Sequence, residues 1–292
     1  MASEALLNVI DRQDFLEQAS EAIQPAVTKA FEAAGPAGQE VKNFLHGTWL
    51  GHPLHPALTD VPIGAWTAAL ALDAVEAMSG RKELAAGADA AIAVGLVGAL
   101  GSAVTGLTDW SATYGRARKV GMLHGLLNAG ATVLYTTSLV MRRRKNRSAG
   151  LGLAMLGYAA SSAAAYLGGH LVYGEQVGVD HTAAQEMPKE FVAVLDEGEL
   201  GEGEMKKVEA EGVPVLLVRL GGEIHAIAHT CSHMGGPLSE GKLEGDVVQC
   251  PWHGSRFNVT DGSVVDGPAT FPQPCFETRV RDGKIEVRSN RD

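Results

Sequence analysis

The stretch Cys231-Ser232-His233-Met234-Gly235-Gly236-Pro237-Leu238 is answered downstream by Cys250-Pro251-Trp252-His253-Gly254-Ser255. The pattern is Cys-x-His, a gap of sixteen residues, then Cys-x-x-His. Two thiolates and two imidazoles in this order can serve two irons of different character, with the Cys pair on one and the His pair on the other. A single zinc ion uses the same ligand set, but usually as two closely spaced Cys followed by a His pair. Here each half supplies one Cys and one His, which suits two hairpin loops clamping a cluster from either side. A Cys231–Cys250 disulfide is a third option, and it leaves both His unexplained.

Working outward, residues from Glu190 to the end carry 18 acidic and 10 basic side chains, a balance that accounts for most of the chain's net −10. An acidic surface argues against nucleic acid and suits a basic redox partner or none. From Phe191 the chain alternates as strands do: 191–194, Val213 to Leu220, Ile224 to Ile227, Val247-Val248 and Thr278 to Val287. Turn signals at Gly221-Gly222-Glu223, Asp261-Gly262 and Asp282-Gly283 separate them. The expectation is an all-β domain over 191–289, preceded by a linker over 175–190, with the cluster loops inserted as hairpins. Of the three Cys, Cys275 is left over, so no structural disulfide is expected.

The cluster stretch and about a hundred residues around it resemble the Rieske 2Fe-2S family, including the Gly236-Pro237-Leu238 turn and the His253-Gly254-Ser255 run. The resemblance implies one 2Fe-2S cluster, with Cys231 and Cys250 on the inner iron and His233 and His253 on the outer one. Neutral imidazoles in place of two thiolates make reduction easier than in a four-Cys ferredoxin. The second nitrogen of each His, facing solvent, would let electron uptake couple to protonation. Ser255 matches a hydroxyl that hydrogen-bonds the cluster in high-potential members. Phe257 replaces their tyrosine, and Met234-Gly235 and Trp252 stand where quinol-oxidising members carry an extra Cys pair. Fewer hydrogen bonds imply a lower potential, so the domain resembles the ferredoxin type. No two-His-one-carboxylate site follows, so a mononuclear iron oxygenase is not indicated.

The first half reads differently. Residues 4–34 carry Leu6, Leu7, Ile10, Phe15, Ala19, Ile23, Val27 and Phe31 at helical spacing. An amphipathic helical region over 1–45 is expected, divided at Pro25, stopped at Gly35-Pro36, and packed on the rest of the protein. No basic start followed by an apolar run marks a cleavable signal peptide. Within 46–174, apolar segments at 61–78, 88–108, 120–141 and 150–173 each approach the ~20 residues that cross a bilayer. The first is weakest, since it contains Asp73 and Glu76. Small residues recur at four-residue spacing (Ala91, Gly95, Ala99, Ala103; Gly157, Ser161, Ala165, Gly169), which lets helices approach closely in lipid. The fold class expected is an all-α transmembrane four-helix bundle followed by the all-β domain, in a multi-pass protein of the cell membrane. This half is similar to a bacterial membrane-domain family of unknown function in its His52-Pro53-Leu54-His55-Pro56 box, Asp60 with Pro62, Thr108-Asp109-Trp110, His124 with Asn128, and 168–173.

Basic residues near the span ends number seven on one side (Arg81, Lys82, Arg142, Arg143, Arg144, Lys145, Arg147) and four on the other (Lys42, Arg116, Arg118, Lys119). That balance puts the Rieske-like domain on the extracytoplasmic side. Four alternating spans bring His52, His55, Asp60, Asp109, His124 and His170 to one membrane face. Ionisable residues at membrane depth are function candidates by default. Here they could hold a haem b or a quinone, with His124 and His170 as the favoured pair, or simply cap and bridge helices. Together these readings describe an electron carrier or oxidoreductase subunit rather than a stand-alone enzyme, exchanging electrons with a quinol or haem and a redox partner protein. The rivals are a passively tethered ferredoxin and a non-redox scaffold or iron-redox sensor.

Overall fold

A computed structural model describes residues 2–290. Seven helices come first: α1 (Ala2–Asp11), α2 (Asp14–Ala33), α3 (Gly35–His46), α4 (Leu54–Ser79), α5 (Leu84–Trp110), α6 (Gly115–Arg143) and α7 (Arg147–Tyr173). The chain divides into two compact units, one of Met1–Gly38 with Leu54–Val177, the other of Gln39–Pro53 with Gly178–Asp292. The all-α then all-β layout is as expected, with more helices than the four-span reading.

In the first unit, α4, α5 and α7 are long and apolar enough to cross a membrane. Helix α6 falls short of that threshold because polar residues run along it. Its hydroxyls look after themselves: Thr132 donates to Asn128 O, Thr136 to Thr132 O and Thr137 to Val133 O, at 2.8, 2.7 and 2.8 Å. The outer surface is apolar, with Val94, Val97, Leu100, Val104 and Leu107 of α5 and Met155 and Leu156 of α7 exposed. An apolar exterior of this extent is the kind of surface that a membrane or a partner covers.

The small residues have a more specific use than helix contact. Gly95 is the seat of Trp66 and Gly157 the seat of Tyr135, where a Cβ would lie 3.0 Å from the Tyr ring. The two rings stack with centroids 4.1 Å apart. The four-residue stripe drifts off the interface, since Ala103 and Ala165 are exposed while Ala164 and Leu167 are buried. A pitch of ~3.6 residues per turn makes that drift unavoidable over four repeats.

Asp73 and Glu76, the weak point of the first span in sequence, are answered by arginines. Arg142 Nη1 lies 2.8 Å from Asp73 and 3.1 Å from Asp89. Arg147 reaches Asp73 at 2.9 Å and Asp89 at 3.1 Å, and also pairs with Glu76. Arg142 is wholly buried along its side chain and Asp73 is 5% exposed. Arg142 is therefore internal rather than a loop charge, while Arg147 is ion-paired but 27% exposed.

Helices α1 and α2 pack on this bundle through Leu7, Ile10 and Leu16, against Val120, Met122 and Leu167. Their break falls at Gln13, which is extended (φ −86, ψ 96), and α2 runs straight through Pro25. Pro25 is on the exposed side of α2, where the hydrogen bond it removes is not buried. Asp14 and Glu17 in the first turn favour the new start at that point.

The second unit is built on two antiparallel sheets. Strands β1 (Val192–Asp196), β2 (Met205–Ala210), β3 (Val213–Leu220), β4 (Glu223–Ala228), β9 (Cys275–Arg281) and β10 (Lys284–Ser289) form a six-stranded sheet in the order β1-β10-β9-β4-β3-β2. Strands β5 (Lys242–Glu244), β6 (Val247–Gln249), β7 (Arg256–Asn258) and β8 (Val264–Asp266) form the smaller sheet. Leu216, Val218 and Ile227 of the large sheet share a core with Leu238, Val248, Phe257, Cys231 and Cys250 of the cluster region.

Removing one partner of a buried ion pair strands the other charge, at roughly 3–5 kcal/mol. Asp73→Ala is accordingly expected to lower the thermal unfolding temperature of detergent-purified protein sharply. Glu83→Ala, at an exposed pair with Arg81, should leave it unchanged.

Candidate metal centre

The Cys231 loop follows β4 and the Cys250 loop joins β6 to β7. The two are copies of one turn. In the first, Cys231 N donates to Gly236 O (2.8 Å) and Gly235 N to Cys231 O (2.9 Å). In the second, Cys250 N donates to Ser255 O (2.8 Å) and Gly254 N to Cys250 O (3.2 Å). The glycine four residues after each Cys has φ +77, in the left-handed region that favours glycine. This Cys-x-x-x-Gly repeat is visible in the sequence, and ligand spacing alone passes over it.

The side chains are sorted by type. Cys231 and Cys250 are buried and hydrogen-bonded to each other. The imidazoles of His233 and His253 meet edge to face with centroids 5.0 Å apart. Each thiol also receives backbone N–H groups, from His233 and Met234 at Cys231 and from Trp252 and His253 at Cys250. The thiol–thiol hydrogen bond and burial push Cys231 up, while the same bond, helped by those backbone donors, holds Cys250 down at about 7. Burial is the main cause that pushes His233 well below its ordinary value, and burial lowers His253 as well. Neutral imidazoles and a readily formed thiolate are the states that ligate metal.

Two observations test whether a cluster fits. His233 Nδ1 is buried with no hydrogen-bond partner, as a nitrogen reserved for a metal would be. A Cβ on Gly236 would lie 2.7 Å from Cys250 Sγ and 3.2 Å from the Trp252 ring, so that position must stay bare for the loops to close. Ser255 is fully buried, and its hydroxyl accepts from Ala269 N at 3.0 Å, which leaves its own proton to donate. Phe257 is also fully buried beneath the loops. The residues present fit a 2Fe-2S group.

Family profiles agree with this geometry. The Rieske [2Fe-2S] domain matches residues 190–277, and a family described as "Predicted membrane protein (DUF2231)" matches residues 51–181. Ferredoxin CarAc of Metapseudomonas resinovorans is 36% identical over 98 residues, which are 33% of this chain and 92% of that protein. The chain belongs to the Rieske family. It is also similar to the ferredoxin component of biphenyl 2,3-dioxygenase from Rhodococcus jostii (strain RHA1), 37% identical over 32% of this chain and 88% of that protein. Apoptosis-inducing factor 3 of Homo sapiens is 38% identical over 34% of the chain, which spans 16% of that protein's length. The Rieske domain thus accounts for the carboxy-terminal third, and the membrane domain for most of the rest.

The residues proposed for the membrane site are only partly brought together. His55 and His124 meet edge to face with ring centroids 6.3 Å apart, and Asp109 acts electrostatically on His55. His55 Nδ1 faces Ser102 O at 2.9 Å, and His124 Nδ1 faces Ala164 O at 2.8 Å. Asn128 Nδ2 approaches His124 Nε2 at 3.1 Å. His170, the favoured partner of His124 in sequence, lies instead with Glu175 at 3.3 Å. Asp60 is exposed, and His52 is exposed within the second unit.

Gly236→Ala should abolish cluster loading, read as iron per chain and visible absorbance. Gly198→Ala, where an added Cβ meets nothing, should load normally.

Proposed function

We propose that this protein is a membrane-bound electron carrier, in which Cys231, Cys250, His233 and His253 hold one 2Fe-2S cluster. The observation that carries this reading is the sorting of ligands in the second unit, thiols together and imidazoles together, around an unpartnered buried Nδ1. When bound, the group supplies reversible uptake of one electron. The chain's own residues do the rest. Backbone N–H groups steady the thiolates, Ser255 offers a hydroxyl proton, and Phe257 contributes no second donor. That donor set supports the low-potential, ferredoxin end of the range.

The partner is a redox protein. The similarity to ferredoxin components of aromatic-ring dioxygenase systems supports an oxygenase or a comparable oxidoreductase as the acceptor. In this reading the bundle, a lipid-embedded anchor, concentrates the carrier at the membrane. The extracytoplasmic placement of the cluster domain rests on a basic-residue balance of six to four once the buried Arg142 is counted as internal.

A second reading, exchange with a quinol inside the bundle, is favoured by one observation: the His55–His124–Asp109 group brought together within it. A haem held by the same two His is less favoured, because Asn128 already faces His124 Nε2.

Protein purified from membranes should contain iron and acid-labile sulfide in equal amounts, and dithionite should produce an electron paramagnetic resonance signal of low average g. Zinc in place of iron would sink the carrier reading and favour a structural or sensing role. His55→Ala with His124→Ala should leave the rate of reduction by a quinol analogue unchanged if the bundle is only an anchor. A large loss of that rate would establish the quinol reading.

A further inference from the structure

The four long helices of the first unit repeat one arrangement. His55 of α4 lies against Gly106 of α5 and turns Nδ1 to Ser102 O at 2.9 Å. His124 of α6 lies against Gly168 of α7 and turns Nδ1 to Ala164 O at 2.8 Å. In both cases the glycine follows the accepting residue by four positions. Further along, Trp66 of α4 is seated at Gly95 of α5, and Tyr135 of α6 at Gly157 of α7. His55 and His124, Trp66 and Tyr135, and Asp73 and Arg142 are each separated by 69 positions, and both glycine pairs by 62. Each of these side chains also faces its own counterpart. The imidazole centroids are 6.3 Å apart, the aromatic centroids 4.1 Å, and Arg142 Nη1 is 2.8 Å from Asp73. Equivalent residues that meet one another lie on a two-fold axis. Helices α4–α5 and α6–α7 are therefore two copies of one hairpin, related by an approximate two-fold axis along the spans.

That relation makes the α5–α6 and α4–α7 seams equivalent, yet they are packed differently. Across the α5–α6 seam, Ile92 is fully buried and Asp89 pairs with Arg142 at 3.1 Å. The equivalent positions of α7 hold Leu151 and Ala154. With a methyl in place of the Ile side chain and no carboxylate, the α4–α7 seam keeps a cavity of about 230 Å³. Trp66, Asp73, Tyr135, Leu151, Ala154 and Met155 line it. Its rim reaches the apolar exterior, where Ala74, Ala77 and Met155 are exposed. At the same end of the spans, the α6–α7 connector presents Arg143, Arg144 and Lys145, all exposed, with no acidic residue between Arg142 and Leu151.

We propose that the α4–α7 seam binds an anionic phospholipid, with an acyl chain in the cavity and the phosphate at Arg143, Arg144 and Lys145. The apolar lining suits the chain, and the exposed cations attract an anionic headgroup. The site rests on the membrane anchoring proposed above and is independent of the cluster.

The experiment uses the full-length protein in phosphatidylcholine nanodiscs, into which chain-brominated phosphatidylglycerol or chain-brominated phosphatidylcholine is titrated. Bromine quenches indole fluorescence at contact, and the difference between the parent protein and Trp66→Phe isolates the Trp66 component. Brominated phosphatidylglycerol should half-quench that component at an about five-fold lower mole fraction than brominated phosphatidylcholine, the factor that one cation near the surface contributes. Replacing Arg143, Arg144 and Lys145 together by Gln should bring the two lipids to the same mole fraction. Ala154→Ile, which gives α7 the residue that α5 carries, should remove the quenching of Trp66 by both lipids. Met155→Phe, at the rim, serves as the plug if Ala154→Ile does not fold. Equal quenching of the parent by the two lipids, or a preference that survives the triple Gln variant, overturns the headgroup site. A Trp66 component that neither lipid quenches overturns the chain-filled cavity. Protein that does not enter nanodiscs overturns the membrane anchoring and the site with it.

Discussion

Two loops sixteen residues apart in the chain must approach until a thiol of one touches the backbone of the other, and Gly236 is where they touch. A methyl group there would overlap Cys250 Sγ and press on Trp252. The rest of the second unit serves that approach. The same turn is used twice, with a left-handed glycine four residues after each Cys, so both thiols point inward and both are met by backbone N–H groups. His233 follows its Cys by two residues and His253 by three, and the two rings still arrive side by side. The large sheet supplies the floor, through Leu216, Val218 and Ile227.

Much of this is legible in the sequence because ligand chemistry is local. Two loops bring the four side chains together, and Ser255 and Phe257 are fully buried beside them. Strand β3 is read from its nearly continuous apolar run, buried from Val215 to Val218, and β4 from its apolar end. Strand β2 (MKKVEA) carries only Val208 and Ala210 as an inward pair, and β5, β7 and β8 are three residues each, too short for periodicity to register. The split of residues 278–287 into two strands was marked by Asp282-Gly283, a turn with both residues at positive φ.

In the membrane half, the sequence shows which residues are costly to bury but not which ones answer them. Asp73 and Arg142 are 69 positions apart, so neither periodicity nor a loop count could pair them. The same holds for His124, whose ring meets His55 rather than His170. Pro25 misled for a different reason. A proline inside a helix costs a hydrogen bond and a clash with the preceding turn. On the exposed side of α2 water can satisfy the freed carbonyl, and which side is exposed is a tertiary property.

Pro53 packs against Gly178, where an added Cβ would lie 3.3 Å from Pro53 Cγ, and this bears on how such a chain could have been assembled. The polypeptide leaves the redox unit at one and re-enters it at the other, and those two points are neighbours. In topological terms the spans from Leu54 to Val177 are a detour from an otherwise nearly continuous domain. Insertions are tolerated where their ends lie close together. The spans could therefore be exchanged or lost through a single event that leaves the metal-binding core undisturbed.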